Sequence, residues 1–81
     1  MTYSKVLERS LRGARARRDL PPPAERKQIR EGAGLSQVDV ARVLGVTREA
    51  VALWELGRRT PRPDRALGYI ALLDRLVAER T

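Results

Sequence analysis

QVDVARVLGVTREAVALWEL, from Gln37 to Leu56, is the stretch on which the fold turns. Its small and apolar residues, Val40, Ala41, Leu44, Val46, Val51 and Trp54, fall into two groups with Gly45 between them. Val40, Ala41 and Leu44 stand at i, i+1 and i+4, within about 100° of one another at 3.6 residues per turn, so they share a face that must be buried. Ser36 is placed to cap this helix through its side-chain oxygen, and Asp39 sets a carboxylate in the first turn, at the positive end of the helix dipole. Gly45 ends it, because the left-handed residue after a last turn is cheapest without a Cβ. Thr47 caps a second helix, in which Val51 and Trp54, three apart, point back at the first. The stretch therefore predicts a short helix, a tight turn and a second short helix crossing steeply over Ala41, whose small side chain permits the close approach.

With the segment WELG at Trp54 to Gly57 and the following Pro61, this window resembles the helix-turn-helix of the Cro and phage-repressor (Xre) type, the lambda-repressor-like DNA-binding domain. The resemblance runs from about Ile29 to Arg62. It rests on Gln37, Ala41, Gly45, Val51, Trp54, Glu55 and Gly57 together, since a helix, a glycine and a helix alone would fit any helical hairpin.

Composition is consistent with that resemblance. Eighty-one residues make one domain with little apolar area to bury, so additional helices or a second subunit are expected to complete the core. Seventeen Lys and Arg against ten Asp and Glu leave a net charge of +7, which suits a phosphate-binding surface and would equally suit an acidic protein or membrane. No apolar run reaches transmembrane length, and the basic N-terminal stretch lacks the apolar segment of a signal peptide. The expected setting is cytoplasmic and nucleoid-associated. With no Cys and no His, disulfides, thiolate metal sites and the commonest metal ligand and general base are all missing. Asp39, Glu49 and Glu55 each have a simpler job than catalysis, and no glycine-rich phosphate loop is present. The expectation is a non-enzymatic protein without cofactor or metal.

Outside the window, four features organise the chain. Tyr3 to about Arg18 is a candidate amphipathic helix with Tyr3, Val6, Leu7, Leu11 and Ala14 on one side. It carries Lys5, Arg9, Arg12, Arg15, Arg17 and Arg18 against Glu8 alone, so most of the net charge lies here. It reads as a helix laying arginines along DNA phosphates, as a basic arm that orders on binding, or as a merely solvating face. Asp19 to Pro23, DLPPP, is a rigid linker, because prolines cannot continue a helix and push the preceding residue to extended backbone. A further helix starts near Pro23 and ends at Gly32 to Gly34, with Ile29 its one strongly apolar residue. After the basic loop Arg58 to Pro63, a long last helix starts at Pro63 with Asp64 beside it and carries Ala66, Leu67, Ile70, Ala71, Leu73, Leu76 and Val77. That stripe is wide enough to suggest a second subunit. Residues 1–20 thus form a basic N-terminal helix or arm, and residues 21–81 the helix-turn-helix domain of an all-α protein.

The resemblance implies a role for each residue of the motif. The second helix, residues 47–56, enters the major groove by its N-terminal end, facing DNA with Thr47, Arg48, Glu49, Ala52 and Leu53. Arg48 can fork onto guanine O6 and N7. Glu49 either accepts from cytosine N4 or holds Arg48, and Ala52 and Leu53 can meet only thymine methyls or sugar. Gln37 faces a phosphate or an outer base, Thr47 the backbone, and Arg58 and Arg59 clamp phosphates. Trp54 belongs to the core with Val40, Ala41, Leu44 and Val51, and Glu55 pairs with Arg30 of the preceding helix. The family usually has a polar residue at the position of Leu53, and often at that of Leu56. The function implied is a sequence-specific double-stranded DNA-binding transcriptional regulator, a homodimeric phage-type or bacterial repressor. Two alternatives stand beside it. One is an antitoxin or adaptor capturing a protein through Leu53, Leu56 or the last helix; the other is a nonspecific, architectural nucleic-acid binder.

Overall fold

The computed structural model describes residues 3–80 and is all-α, with five helices in the order α1 (Tyr3–Asp19), α2 (Pro23–Gly32), α3 (Gln37–Leu44), α4 (Arg48–Glu55) and α5 (Pro63–Ala78). Local chemistry sets most of the boundaries. Pro23 and Pro63 each stand in the first turn of their helix, where the missing N–H costs nothing, and Glu25 and Asp64 add a carboxylate to those turns. At α3, Ser36 and Asp39 form a reciprocal capping box: Ser36 Oγ accepts from the Asp39 N–H at 3.0 Å, and the Ser36 N–H donates to Asp39 Oδ2 at 2.8 Å. Gly45 closes α3 at φ 68°, with the Val46 N–H reaching back to the Ala41 carbonyl at 3.0 Å. Thr47 Oγ1 then accepts from the Ala50 N–H at 3.1 Å and opens α4.

One core runs through the domain. It is formed by Ala16, Leu20, Ile29, Val40, Ala41, Val51, Trp54, Ala66, Tyr69 and Leu73, with Leu35, Leu44 and Val46 among the half-buried residues packed around it. α5 is the hub, because α1, α2 and α3 all pack on it, while α4 lies against α2 and α3. The Trp54 and Tyr69 rings meet at a centroid distance of 5.1 Å and an interplanar angle of 37°.

Two sequence expectations need correction. The side of α1 expected to pack inward does not: Val6, Leu7 and Leu11 are about half exposed, Ala14 is half-buried, and the Tyr3 side chain lies outside the described residues. Gly13, Ala16 and Leu20 are buried instead. At 100° per residue, Gly13 and Ala16 lie on the opposite side of the helix from Leu7 and Leu11, so the small residues, not the large ones, face α5. The break between α1 and α2 also shortens to Leu20–Pro22, with Leu20 turned into the core. In α5 the buried row is Ala66, Tyr69 and Leu73, at i, i+3 and i+7, while Ala71 and Val77 face solvent. α5 runs without interruption past Gly68.

Candidate nucleic-acid interface

The exposed N-terminal end of α4 is tied to the interior by a chain of polar side chains. It begins at Arg30 of α2 and Glu55 of α4, both buried. Arg30 Nε donates to Glu55 Oε2 at 2.6 Å and Arg30 Nη2 to Glu55 Oε1 at 3.0 Å, a two-pronged ion pair of the kind that fixes both partners in orientation. Arg30 Nη1 also donates to the Leu35 carbonyl at 2.8 Å, just past the end of α2. Glu55 Oε1 accepts in addition from Gln37 Nε2 at 3.0 Å, and the other end of that amide, Gln37 Oε1, accepts from Arg48 Nη1 at 3.0 Å. Arg48 itself is exposed. The exposed Arg48 guanidinium is thus linked through two hydrogen bonds to a carboxylate locked inside the domain.

The charge states follow from these contacts. Burial alone would push the Glu55 carboxyl up, but the hydrogen bonds from Arg30 and Gln37 and the neighbouring guanidinium outweigh it, and the group sits below the usual carboxylate range. The hydrogen bond to Glu55 raises Arg30 against its own desolvation. Asp39 is lowered by the hydrogen bond it accepts from the Ser36 N–H and then by the Ser36 hydroxyl. Behind Trp54, burial pushes the Tyr69 hydroxyl up to about 12, with the Glu55 charge adding to the effect.

The expected residues separate into three groups. Val40, Ala41, Val51 and Trp54 are buried and Leu44 half-buried, so α3 and α4 are held by an aliphatic seam with one indole. Thr47, Arg48 and Glu49 stand exposed at the start of α4, with Ala52 and Leu53 half-buried one turn on. Arg58 and Arg59 follow in an exposed loop, entered through Gly57 at φ 72°. The structure joins Gln37, Arg48, Glu55 and Arg30 into one chain. It does not join Glu49 to Arg48, since the ion pairs among the described residues are Arg30–Glu55 and Arg75–Glu79. Gln37 is what holds the Arg48 guanidinium, because its amide carbonyl lies across from the start of α4.

Arg26 escaped the sequence reading. It is buried, and its guanidinium donates to the Pro21 carbonyl at 2.6 Å and to the Trp54 carbonyl at 3.1 Å, fastening the linker before α2 to the last turn of α4. Desolvation lowers it, against a smaller opposing effect of Tyr69. The signal was present in the spacing: Arg26, Ile29 and Arg30 stand at i, i+3 and i+4, so two arginine stems widen the thin apolar stripe of α2.

Residues 27–78 match the family model described as helix-turn-helix, of the Cro/C1 type, across most of the chain. The chain belongs to the helix-turn-helix family. That family is a DNA-binding one, typically without enzymatic activity, and in this general sense the helix-turn-helix protein is a DNA-binding regulator. No curated protein and no solved structure matches the chain. Among the described residues, no helix is long and apolar enough to cross a membrane.

Proposed function

We propose that the protein is a sequence-specific transcriptional repressor that reads double-stranded DNA with the N-terminal end of α4. The observation that carries this reading is the Arg30–Glu55–Gln37–Arg48 chain, which presents an exposed guanidinium from a fixed base at the position where a recognition helix enters the major groove. In this reading Arg48 forks onto a guanine edge and Glu49 accepts from a cytosine amine. Ala52 and Leu53 touch thymine methyls, while Gln37, Thr47, Arg58 and Arg59 lie on the backbone. Two copies bind an inverted repeat with half-sites about one helical turn, or 10 bp, apart, and the protein resides on the nucleoid in the cytoplasm.

Selection from random duplexes at fixed salt, followed by Arg48→Ala and Arg59→Ala, tests the assignment. Loss of Arg48 is expected to cost about 1–3 kcal/mol on the selected site and to flatten preference at one base position. Loss of Arg59 weakens selected and random duplexes by one common factor and lowers the slope of log affinity against log salt by about 1. Sequence preference that survives Arg48→Ala refutes the docking. The capture of a protein through Leu53, Leu56 or α5 then takes precedence, a reading favoured by Leu56, which is 66% exposed beside the recognition helix.

A further inference from the structure

α1 lies outside the segment matched by the family, and its first turns contribute nothing to the core, since every residue from Ser4 to Arg12 is exposed. It is nevertheless seated at a defined place. A Cβ added to Gly13 would lie 2.4 Å from Pro63 Cβ and 2.6 Å from the Pro63 carbonyl carbon and oxygen, so the two backbones touch where α1 crosses the start of α5. One turn before that contact, Arg9 and Ser10 line a groove of about 270 Å³ with Arg62, Pro63 and Asp64.

The face of α1 that packs on α5 changes character at Gly13. Downstream it buries Ala16 and Leu20. Upstream, the same helical face carries Lys5, Arg9 and Arg12, at i, i+4 and i+7, where it passes beyond the start of α5. Of these cations Arg9 shares its groove with Arg62, the end of the loop that also bears Arg58 and Arg59 after α4, and with Asp64. Among the described residues none of Lys5, Arg9, Arg12, Arg58, Arg59 and Arg62 forms an ion pair. Such a row of unpaired like charges repels itself in the free protein and is relieved by a polyanion.

We propose that α1 is a second phosphate-binding element: Lys5, Arg9 and Arg12, continued by Arg62, grip the nucleic-acid backbone next to the segment read by α4. This deepens the repressor reading and rests on it for the placement of α4 on the duplex. The ligand is an extended polyanion, because the three α1 cations span seven residues, about 10 Å of helix axis, too long for one phosphate group. Duplex DNA offers a charge about every 1.7 Å of its axis. Continuity with the loop after α4 selects nucleic acid over an acidic protein.

The test uses the full chain and the double variant Arg9→Gln/Arg12→Gln, titrated with the selected duplex, a random duplex and poly-glutamate between about 50 and 200 mM salt. Both arginines are exposed and unpaired, and the helical signal in circular dichroism checks that the variant folds as the parent does. The expected result is a salt slope lower by about 2 on both duplexes, so that the fall in affinity across this range is about tenfold smaller than for the parent. An unchanged slope and affinity on both duplexes overturns the proposal. So does a loss confined to poly-glutamate, which makes α1 a docking face for an acidic protein. The two readings fail separately. A selection that returns no preferred sequence, with the slope still lowered in the variant, removes base reading and keeps α1 on the backbone. A preferred sequence with an unaltered slope does the reverse.

Discussion

The helix-turn-helix and the N-terminal helix are fastened to the same core by different forces. α3 and α4 are held by directional polar bonds: a capping box at Ser36 and Asp39, the Thr47 cap, and the Arg30–Glu55 pair with Gln37 attached to it. α1 is seated on α5 by close packing, a bare glycine backbone against Pro63 followed by Ala16 and Leu20. Polar fastening depends on protonation and on the presence of both partners. Steric fastening depends on volume. The two regions should therefore answer to different perturbations.

The largest effect is expected from Glu55→Ala. The Glu55 and Arg30 side chains are only 3% and 10% exposed, so the substitution leaves a buried guanidinium without its carboxylate, at a cost of about 3–5 kcal/mol. The melting temperature falls and affinity for all duplexes drops alike. The same bond sets a pH dependence. The folded Glu55 carboxyl sits below its ordinary value, so its contribution is complete above the unfolded value of about 4.3 and is lost as pH falls through the folded one. Thermal denaturation followed from neutral to acid pH should show this loss in the parent and not in Glu55→Gln.

Gly13→Ala comes next. In an exposed helix this exchange would stabilise by up to about 1 kcal/mol, but here the new methyl collides with Pro63, and overpacking of this kind costs about 1–3 kcal/mol. The loss should be the same at neutral and acid pH, because no titrating group takes part. Stabilisation by Gly13→Ala would show that α1 is not seated on α5 and would erase the contrast between the two regions.

Ser36→Ala removes the cap that accepts from the Asp39 N–H and is expected to cost about 1 kcal/mol, measured by denaturant titration. The smallest effect has the opposite sign. A Cβ at Gly68 meets only Leu44 Cδ2, at an ordinary 3.5 Å, so Gly68→Ala should stabilise by about 0.5–1 kcal/mol. With two helical glycines giving opposite signs, the pair isolates close approach from helix propensity.

These contrasts also explain what could be read in advance. The bounds of α3 and α4 were legible because Ser36, Gly45 and Thr47 act on backbone groups within a few residues of themselves. The Arg30–Glu55 pair, 25 residues apart, was reached only through the resemblance to a family. Gln37 as the holder of Arg48, Arg26 under Trp54 and Tyr69 in the core had no such guide.

By itself, the sequence determined that the chain is all-α, where its central helices start and stop, and that its charge suits phosphate, because periodicity, capping and net charge are properties of neighbouring residues and of sums. Tertiary structure decided which face of α1 is buried, since Leu7 and Leu11 offer more apolar area than Gly13 and Ala16, yet only small residues let the α1 backbone rest on Pro63. It also decided which partner holds Arg48, since an amide with a free donor and a free acceptor can bridge whatever the fold sets 3.0 Å from each end.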